Sequence, residues 1–475
     1  MTPSRTFLLL MLLIGTFACN DDEPITIVQD PVNNFFWNSM NSWYFWQDEV
    51  QPLADDISQA EKANFLNQFS SPYALFEELR HEEDRFSWIV EDYEALNNLF
   101  QGITESFGYE FGLVRLQGDS VVGYVQYVIP GSPADQSGLK RGDLFYAVND
   151  EVLTAGNYQR LLYSNPTYSL SLGSLDNGKI TAKNQTPVIT AIQLEENPVH
   201  MAKVIEFENK RIGYLVYNGF THTYHAELNA AFGLFKEQNI DELVIDFRYN
   251  PGGSIYTAMH LGSLIYGNGT GQQTFCKLLY NTKRSESNLV LPFVNQMDVI
   301  NGDYESLSQE NLNELFLDRV YILTGSGTAS ASELVIAGLL PYMDVKVVGA
   351  VTRGKNEGSR TLYDSPKSDY TEKESSNLLH KWALQPIVTK LANSEDWSDY
   401  STGFVPDVEV NEADYIANIL PLGDPEEPLL KVVLLDITGK GSIGRLESGV
   451  KRELVHSSRI ERKHQSEMHL GGIDF

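Results

Sequence analysis

The sequence predicts a multidomain α+β protein, and three observations carry that reading. Its 475 residues exceed what one ordinary domain holds. The apolar pattern changes twice along the chain. Helical spacing over 35–102 gives way to short alternating strands over 103–184, then to strands alternating with helices over 185–415. Hydrophobic residues make up 42% of the chain and aromatics 11%, enough to fill a core in each segment.

A processing signature precedes these segments. Arg5 leads into the apolar run 7–14, and Gly15, Thr16, Phe17, Ala18 and Cys19 come next. A charged start, a short apolar stretch and a small residue before the break read as a secretory signal peptide over 1–18. The run is too short to cross a hydrocarbon layer of about 30 Å as a helix. Ala18-Cys19 resembles a bacterial lipobox, with Thr16 where Leu is usual; the resemblance implies a lipid on Cys19. The acidic residues Asp21, Asp22 and Glu23 resemble the surface-export signal of Bacteroidetes lipoproteins. Together they imply an outer-membrane lipoprotein of the cell envelope, periplasmic or surface-exposed, with 19–34 as an acidic tether. Cys276 is then left without a disulfide partner, and with no His-containing motif beside it reads as a buried structural thiol.

Within 35–102, Phe36, Met40, Trp43 and Tyr44 recur at three- and four-residue spacing, as the core face of an N-terminal helical domain does. Phe65, Phe69 and Leu75 extend the pattern less regularly. The formal net charge of −29 repels phosphate backbones and argues against nucleic acid as a partner.

In the second segment, Ser132-Pro133-Ala134 starts a short helix with Ser at the cap and Pro at the first helical position. Gly142-Asp143 then turns into a strand over 144–148. This stretch, 123–143 in all, resembles a PDZ domain, which implies binding of extended peptides by strand addition and capture of a free C-terminal carboxylate; the rival reading makes the domain only a steric gate. The segment 109–113, with Phe111, Gly112 and Leu113, falls where the carboxylate-binding loop is expected.

In the third segment, strands are predicted over 211–217, 243–248, 320–323 and 345–348, with helices over 226–238, 253–266 and 331–340. This order argues for parallel strands in an α/β layer. Beyond about residue 440 the hydrophobic pattern fades. The part over 416–475 is predicted as an extension ending in a mobile tail, with no role assigned.

The densest chemical signal is Gly327-Thr328-Ala329-Ser330-Ala331-Ser332-Glu333, where a strand ends, a glycine-rich turn intervenes and a helix begins. A hydroxyl at such a junction faces the free amides of the helix start, which can hold an oxyanion. The spacing Ser330 to Glu333 also fits a capping box, which needs no chemistry. On spacing alone both readings stand.

Gly-Thr-Ala-Ser-Ala-Ser-Glu leading into a small-residue helix resembles the nucleophile motif of the S41 carboxy-terminal processing, or tail-specific, serine peptidases. The resemblance runs over about 33–415. Trp43-Tyr44-Phe45-Trp46 and Asp84-Arg85-Phe86-Ser87 resemble the helical N-terminal part of Bacteroidetes members, and 403–407 resembles the closing Gly-x-x-Pro-Asp. It implies an α/β core of the ClpP/crotonase-like type, with Ser330 as nucleophile and Lys355 of the Gly354-Lys355 pair as general base, 25 residues later. Asp246-Phe247-Arg248-Tyr249-Asn250-Pro251-Gly252-Gly253 resembles the segment that supplies a second oxyanion amide. Gly252 or Gly253 would act with Ala331, and Asp246 and Arg248 would be structural. No cofactor and no metal is implied. Many members carry Gln four residues after the lysine; Ser359 stands there, as a candidate lysine-orienting group. An exposed lysine is neutral in roughly one molecule per thousand at pH 7, so such a base must be desolvated or set near positive charge.

The implied activity is serine endopeptidase action on polypeptides through a Ser-Lys dyad, with C-terminal segments recognised by the PDZ domain. The alternative on the same fold is an inactive, membrane-anchored peptide-binding protein. Two other motifs compete for attention. The stretch 349–355 fits the first seven positions of a P-loop, but Asn356 replaces the required hydroxyl. His222 and His225 at a strand-to-helix joint lack a carboxylate partner and read as surface or cleft-lining residues.

Overall fold

The computed structural model describes residues 30–268, 271–440, 449–461 and 468–471. The signal-peptide, Cys19 and tether expectations up to residue 29 lie outside the described residues. Among the described residues no helix is long and apolar enough to cross a membrane.

A six-stranded sheet forms the heart of the molecule. Its strands run Val199–Phe207, Lys210–Tyr217, Glu242–Asp246, Arg319–Thr324, Asp344–Gly349 and Val408–Glu409 in spatial order. The first pair is antiparallel and the others are parallel. Period-two alternation gives the sheet two apolar faces. Leu215, Tyr217, Leu243, Ile245, Val320 and Ile322 enter the larger core, with the helices His225–Glu237, Ile255–Tyr266 and Ala331–Leu339 above them. Tyr214, Val216, Val244, Tyr321 and Leu323 face the other way, under the helix Pro428–Ile437. The predicted order of strands and helices thus holds, with ends shifted by one or two residues.

The N-terminal helices Pro31–Trp43, Gln59–Leu66, Pro72–Leu79 and Tyr93–Phe100 do not build a separate core. Phe36, Met40, Trp43, Tyr44 and Leu75 are buried in the same cluster as the central sheet and its helices.

The PDZ domain is a sheet of the strands Tyr109–Arg115, Val121–Val128, Leu144–Val148, Thr167–Asp176 and Lys179–Ala182, with helices Pro133–Gln136 and Tyr158–Tyr163. Ser132 caps the first of these helices as expected, its side chain accepting from the Asp135 amide. The expected carboxylate loop at 109–113 is instead part of a strand. Its glycine serves packing, because a Cβ on Gly112 would collide with the ring of Tyr124.

A buried ionic cluster joins the PDZ domain to the central sheet. Arg141 donates to Glu412 at 2.6 Å and to the Gln126 carbonyl at 2.6 Å. Arg248 donates to Asp246 at 2.9 Å, to Glu427 at 2.6 Å and to Glu412 at 3.1 Å. Asp246 and Arg248 therefore hold structure, as expected. His222 and His225 are buried, with no carboxylate bonded to either ring among the described residues; His222 lines a cleft, so of the two expected readings only the surface one fails for it. His225 contacts the Asp298 carbonyl (2.8 Å) and Thr257 (2.9 Å), and His222 stacks on Tyr304. Cys276 is buried on the strand Thr274–Tyr280, and burial pushes its thiol pKa up.

The tail departs most from expectation. Leu454–Ser457 is a strand added to the PDZ sheet, and Met468–His469 is a strand within a second six-stranded sheet. Strand addition fixes these segments through the edges they meet, which a fading hydrophobic pattern does not report.

Candidate active site

Ser330 stands where the strand Arg319–Thr324 turns into the helix Ala331–Leu339. Its backbone has φ +65° and ψ −119°, a region that non-glycine residues rarely enter. Strain of this kind, roughly 1–3 kcal/mol, persists only where the surroundings enforce it. Here they do. Thr328 donates its hydroxyl to the Phe247 carbonyl (2.7 Å) and accepts from the Gly325 amide (2.9 Å), closing the turn. Ser330 Oγ is buried without a hydrogen-bond partner among the described residues. The Glu333 carboxylate still closes the capping-box half of this turn by accepting from the Ser330 amide, while the Ser330 hydroxyl stays unbonded.

Glu333 explains how the two halves of the site are held. Its Oε2 accepts from the Ser330 amide and from the Lys355 amide, both at 2.8 Å. Its Oε1 accepts from Thr352 Oγ1 at 2.5 Å and from the Gly354 amide at 2.7 Å. One buried carboxylate thus clamps the serine turn to the lysine loop. Burial raises its pKa, and the hydrogen bonds from Lys355, Thr352, Ser330 and Gly354 partly offset that. Sequence reasoning reaches Glu333 only as a helix-capping residue; its bonds to the lysine loop join parts of the chain about twenty residues apart.

Lys355 is completely buried, and its Nζ lies 4.9 Å from the ring centroid of Phe86. The Asp84–Ser87 loop of the N-terminal part therefore forms one wall of the site. Asp84 shapes that loop by accepting from the Phe86 and Ser87 amides at 3.0 and 2.9 Å, and from Tyr44 Oη at 2.7 Å. Arg85 donates to the Gly354 carbonyl at 2.6 Å. Across the loop, the Phe404 amide donates to Thr352 Oγ1 at 2.7 Å. Past Lys355 the chain enters the strand Glu357–Ser359, so the stretch 349–355 does not lead into the helix that a P-loop requires.

Opposite the serine turn lies the glycine pair. Asn250 Oδ1 accepts from the Gly252 amide at 2.9 Å, and Asn250 Nδ2 donates to the Tyr217 carbonyl at 2.8 Å. The Gly252 amide is thus engaged, and Gly253 is the candidate oxyanion donor of the two. Gly253 has φ +139°, and a Cβ there would lie 2.5 Å from the Phe220 carbonyl oxygen, so only glycine fits. Ala331 is the first residue of its helix, where the amide has no partner within the helix.

Ser359 is buried, and its hydroxyl accepts from Gln385 Nε2 at 2.9 Å and donates to the Met468 carbonyl at 3.1 Å. Gln385 comes from the strand Ala383–Gln385, so a glutamine reaches this position from another part of the chain. On the PDZ domain, Phe111, Gly112 and Leu113 lie together on the strand Tyr109–Arg115, beside the helix Tyr158–Tyr163. Among the described residues no group of His, Cys, Asp or Glu is arranged to hold a metal ion.

The chain is similar to known proteins over three of its segments. Residues 211–386 match the family model of peptidase family S41, residues 31–88 that of the peptidase S41 N-terminal domain, and residues 124–172 that of the PDZ domain. A probable CtpA-like serine protease of Staphylococcus aureus (strain N315) is 22% identical over 365 residues, or 74% of this chain. A protein of the same description from Staphylococcus epidermidis is 24% identical over 274 residues, covering 54% of this chain and 48% of that one. The chain spans 62% of the length of the Staphylococcus aureus relative. Among solved structures, a protein of Bacteroides fragilis NCTC 9343 assigned to the S41 proteases superposes with a TM-score of 0.68. It is 27% identical, and the match covers 86% of this chain and 98% of that one. The chain thus carries an N-terminal domain and a core matching peptidase family S41, with a PDZ domain between them.

Proposed function

We propose that the chain is a serine endopeptidase in which Ser330 is the nucleophile and Lys355 the general base. The observation that carries this reading is the clamp of Glu333, which ties the strained Ser330 turn to the buried Lys355 loop through four hydrogen bonds. In the first step Ser330 Oγ attacks the scissile carbonyl carbon, and its proton passes to the Lys355 amine. The oxyanion so formed is met by the amides of Gly253 and Ala331. The tetrahedral adduct collapses, the C–N bond breaks, and Lys355 returns the proton to the leaving amine. Water then attacks the acyl-serine ester as Lys355 takes its proton; the ester C–O bond breaks, Lys355 returns the proton to Ser330 Oγ, and the acid product leaves. No cofactor is needed for these steps. Ser359, bonded to Gln385, lies four residues beyond Lys355, where it steadies the strand that follows the lysine loop.

Its substrates are polypeptides, and the PDZ strand 109–115 recognises their C-terminal segments by strand addition. Incubating the full chain with a mixed peptide library tests the reading. Cleavage that disappears in both Ser330→Ala and Lys355→Ala is expected. A folded wild-type chain that leaves the library intact even at high enzyme concentration contradicts it, and favours a peptide-binding role. Carboxylate capture is tested separately by fluorescence anisotropy, where a peptide with a free C-terminus should bind the PDZ domain more tightly than its amide. Equal binding removes that part of the proposal.

The cell envelope is the proposed location, through a lipid on Cys19, resting on the sequence of 5–19. Metabolic labelling with a radioactive fatty acid should mark the wild type and not Cys19→Ala.

A further inference from the structure

The tail that the hydrophobic pattern leaves without a role returns to both peptide-binding surfaces. On the PDZ domain, Leu454–Ser457 pairs antiparallel with Tyr109–Arg115, in the register Leu454 with Val114, His456 with Leu113 and Ser457 with Gly112. His456 Nε2 lies 2.6 Å from Tyr163 Oη on the neighbouring helix, so the segment fills the groove between strand and helix. The Phe111 amide donates to Ser458 Oγ at 2.8 Å. Arg459 then reaches the peptidase body, donating to the Asn218 carbonyl at 2.6 Å and pairing with Glu196 at 2.9 Å.

At the active site the same tail supplies a second strand. Met468–His469 runs parallel to Gly253–Ser254 on one side, with Met468 opposite Gly253, and His469 pairs with Ser359 on the other. The Leu470 amide donates to the Ser359 carbonyl at 3.3 Å. Met468 is 0% exposed and Leu470 2% exposed, and both join the core that contains Ala331. His469 lies over Phe100, with ring centroids 4.2 Å apart. A segment held along Gly253 by strand pairing, with its alternate side chains seated in apolar pockets, is bound as an extended peptide is.

We propose that the segments 454–459 and 468–471 are an intramolecular ligand that fills the PDZ groove and the catalytic slot together, so that the chain's own C-terminal part competes with substrate. Naming the slot catalytic rests on the peptidase reading above; the occupancy itself does not. Tethering gives the tail an effective concentration of the order of millimolar, well above that of most free polypeptides. Polypeptides that displace it carry apolar side chains at alternate positions, spaced as Met468 and Leu470 are.

Binding to a chain that cannot turn over separates this proposal from the peptidase reading. In the full-length Ser330→Ala protein, anisotropy measures binding of a labelled peptide copying residues 466–471. The same peptide is then offered to Ser330→Ala carrying Met468→Asp and Leu470→Asp. At least tenfold tighter binding to the second protein is expected; equal affinity overturns the proposal. Should the aspartates unfold the chain, hydrogen exchange on the otherwise unaltered Ser330→Ala protein decides. Protection of the 468–470 amides that falls on adding excess peptide supports occupancy, and exchange at the rate of an unstructured peptide overturns it. Failure of catalysis with the binding result intact removes only the peptidase reading.

Discussion

The PDZ groove and the slot beside Gly253 each accept a strand of the same chain, and they hold it differently. At the PDZ edge the tail strand pairs on one side only, Leu454 and Val455 stay partly exposed, and polar contacts from Tyr163 and Ser458 fix the register. In the slot the strand has a parallel neighbour on both sides, and Met468 and Leu470 are removed from water. Burying two such side chains is worth about 2–3 kcal/mol each before ordering costs, more than the one or two hydrogen bonds that fix register at the PDZ edge. The groove thus leaves Leu454 and Val455 of the tail partly open, whereas the slot encloses Met468 and Leu470 and brings the backbone against Gly253.

Breaking the slot while sparing the groove gives the largest effect. Glu333→Ala removes the acceptor of four donors that unite the Ser330 and Lys355 loops. Reaction of Ser330 with an active-site probe should fall about 10³-fold, while peptide binding at 109–115 persists. Probe labelling beside anisotropy with a PDZ-binding peptide reads both. Gly253→Ala acts on the slot edge itself, where a Cβ meets the Phe220 carbonyl. Probe labelling should drop about 10²-fold, again without loss at the groove.

Acid should release the slot strand. Burial and the nearby Lys355 hold the His469 pKa down to about 3, against an ordinary 6.5. Phe100 faces its ring, and His222, itself held down to about 3, lies close by. A released tail takes up a proton on His469 below pH 6.5, and the docked tail does not until near pH 3. Docking therefore weakens as pH falls through that window, about tenfold per unit. Hydrogen exchange at 468–470, tracked between pH 7 and 5 and corrected for intrinsic rates, measures it; protection independent of pH contradicts it. The smallest effect belongs to the groove. Tyr163→Phe removes the bond to His456 and should loosen the 454–457 pairing by about 1 kcal/mol, roughly fivefold, seen as faster exchange at 111–114.

The same two regions separate what is legible in the sequence from what is not. Ser330, Lys355 and the glycine pair are readable because each lies within a short run whose residue types the local backbone demands. The contacts of Tyr163 and Glu333 are not, since their partners His456, Thr352 and Lys355 arrive from other parts of the chain. The segment 109–113 is expected as a loop from its place in the PDZ resemblance, whereas it is part of the strand Tyr109–Arg115, with Gly112 leaving room for the Tyr124 ring. Strand addition hides the tail altogether. Leu454–Ser457 and Met468–His469 take their conformation from waiting sheet edges, so no period of their own marks them.

The most direct test of the central claim is covalent. A fluorophosphonate probe incubated with the full chain should add one adduct, mapped by mass spectrometry to Ser330. Labelling should be absent in Ser330→Ala and at least about 10²-fold slower in Lys355→Ala. A correctly folded wild-type chain that takes up no probe, or labels as fast without Lys355 as with it, would contradict the Ser330–Lys355 assignment.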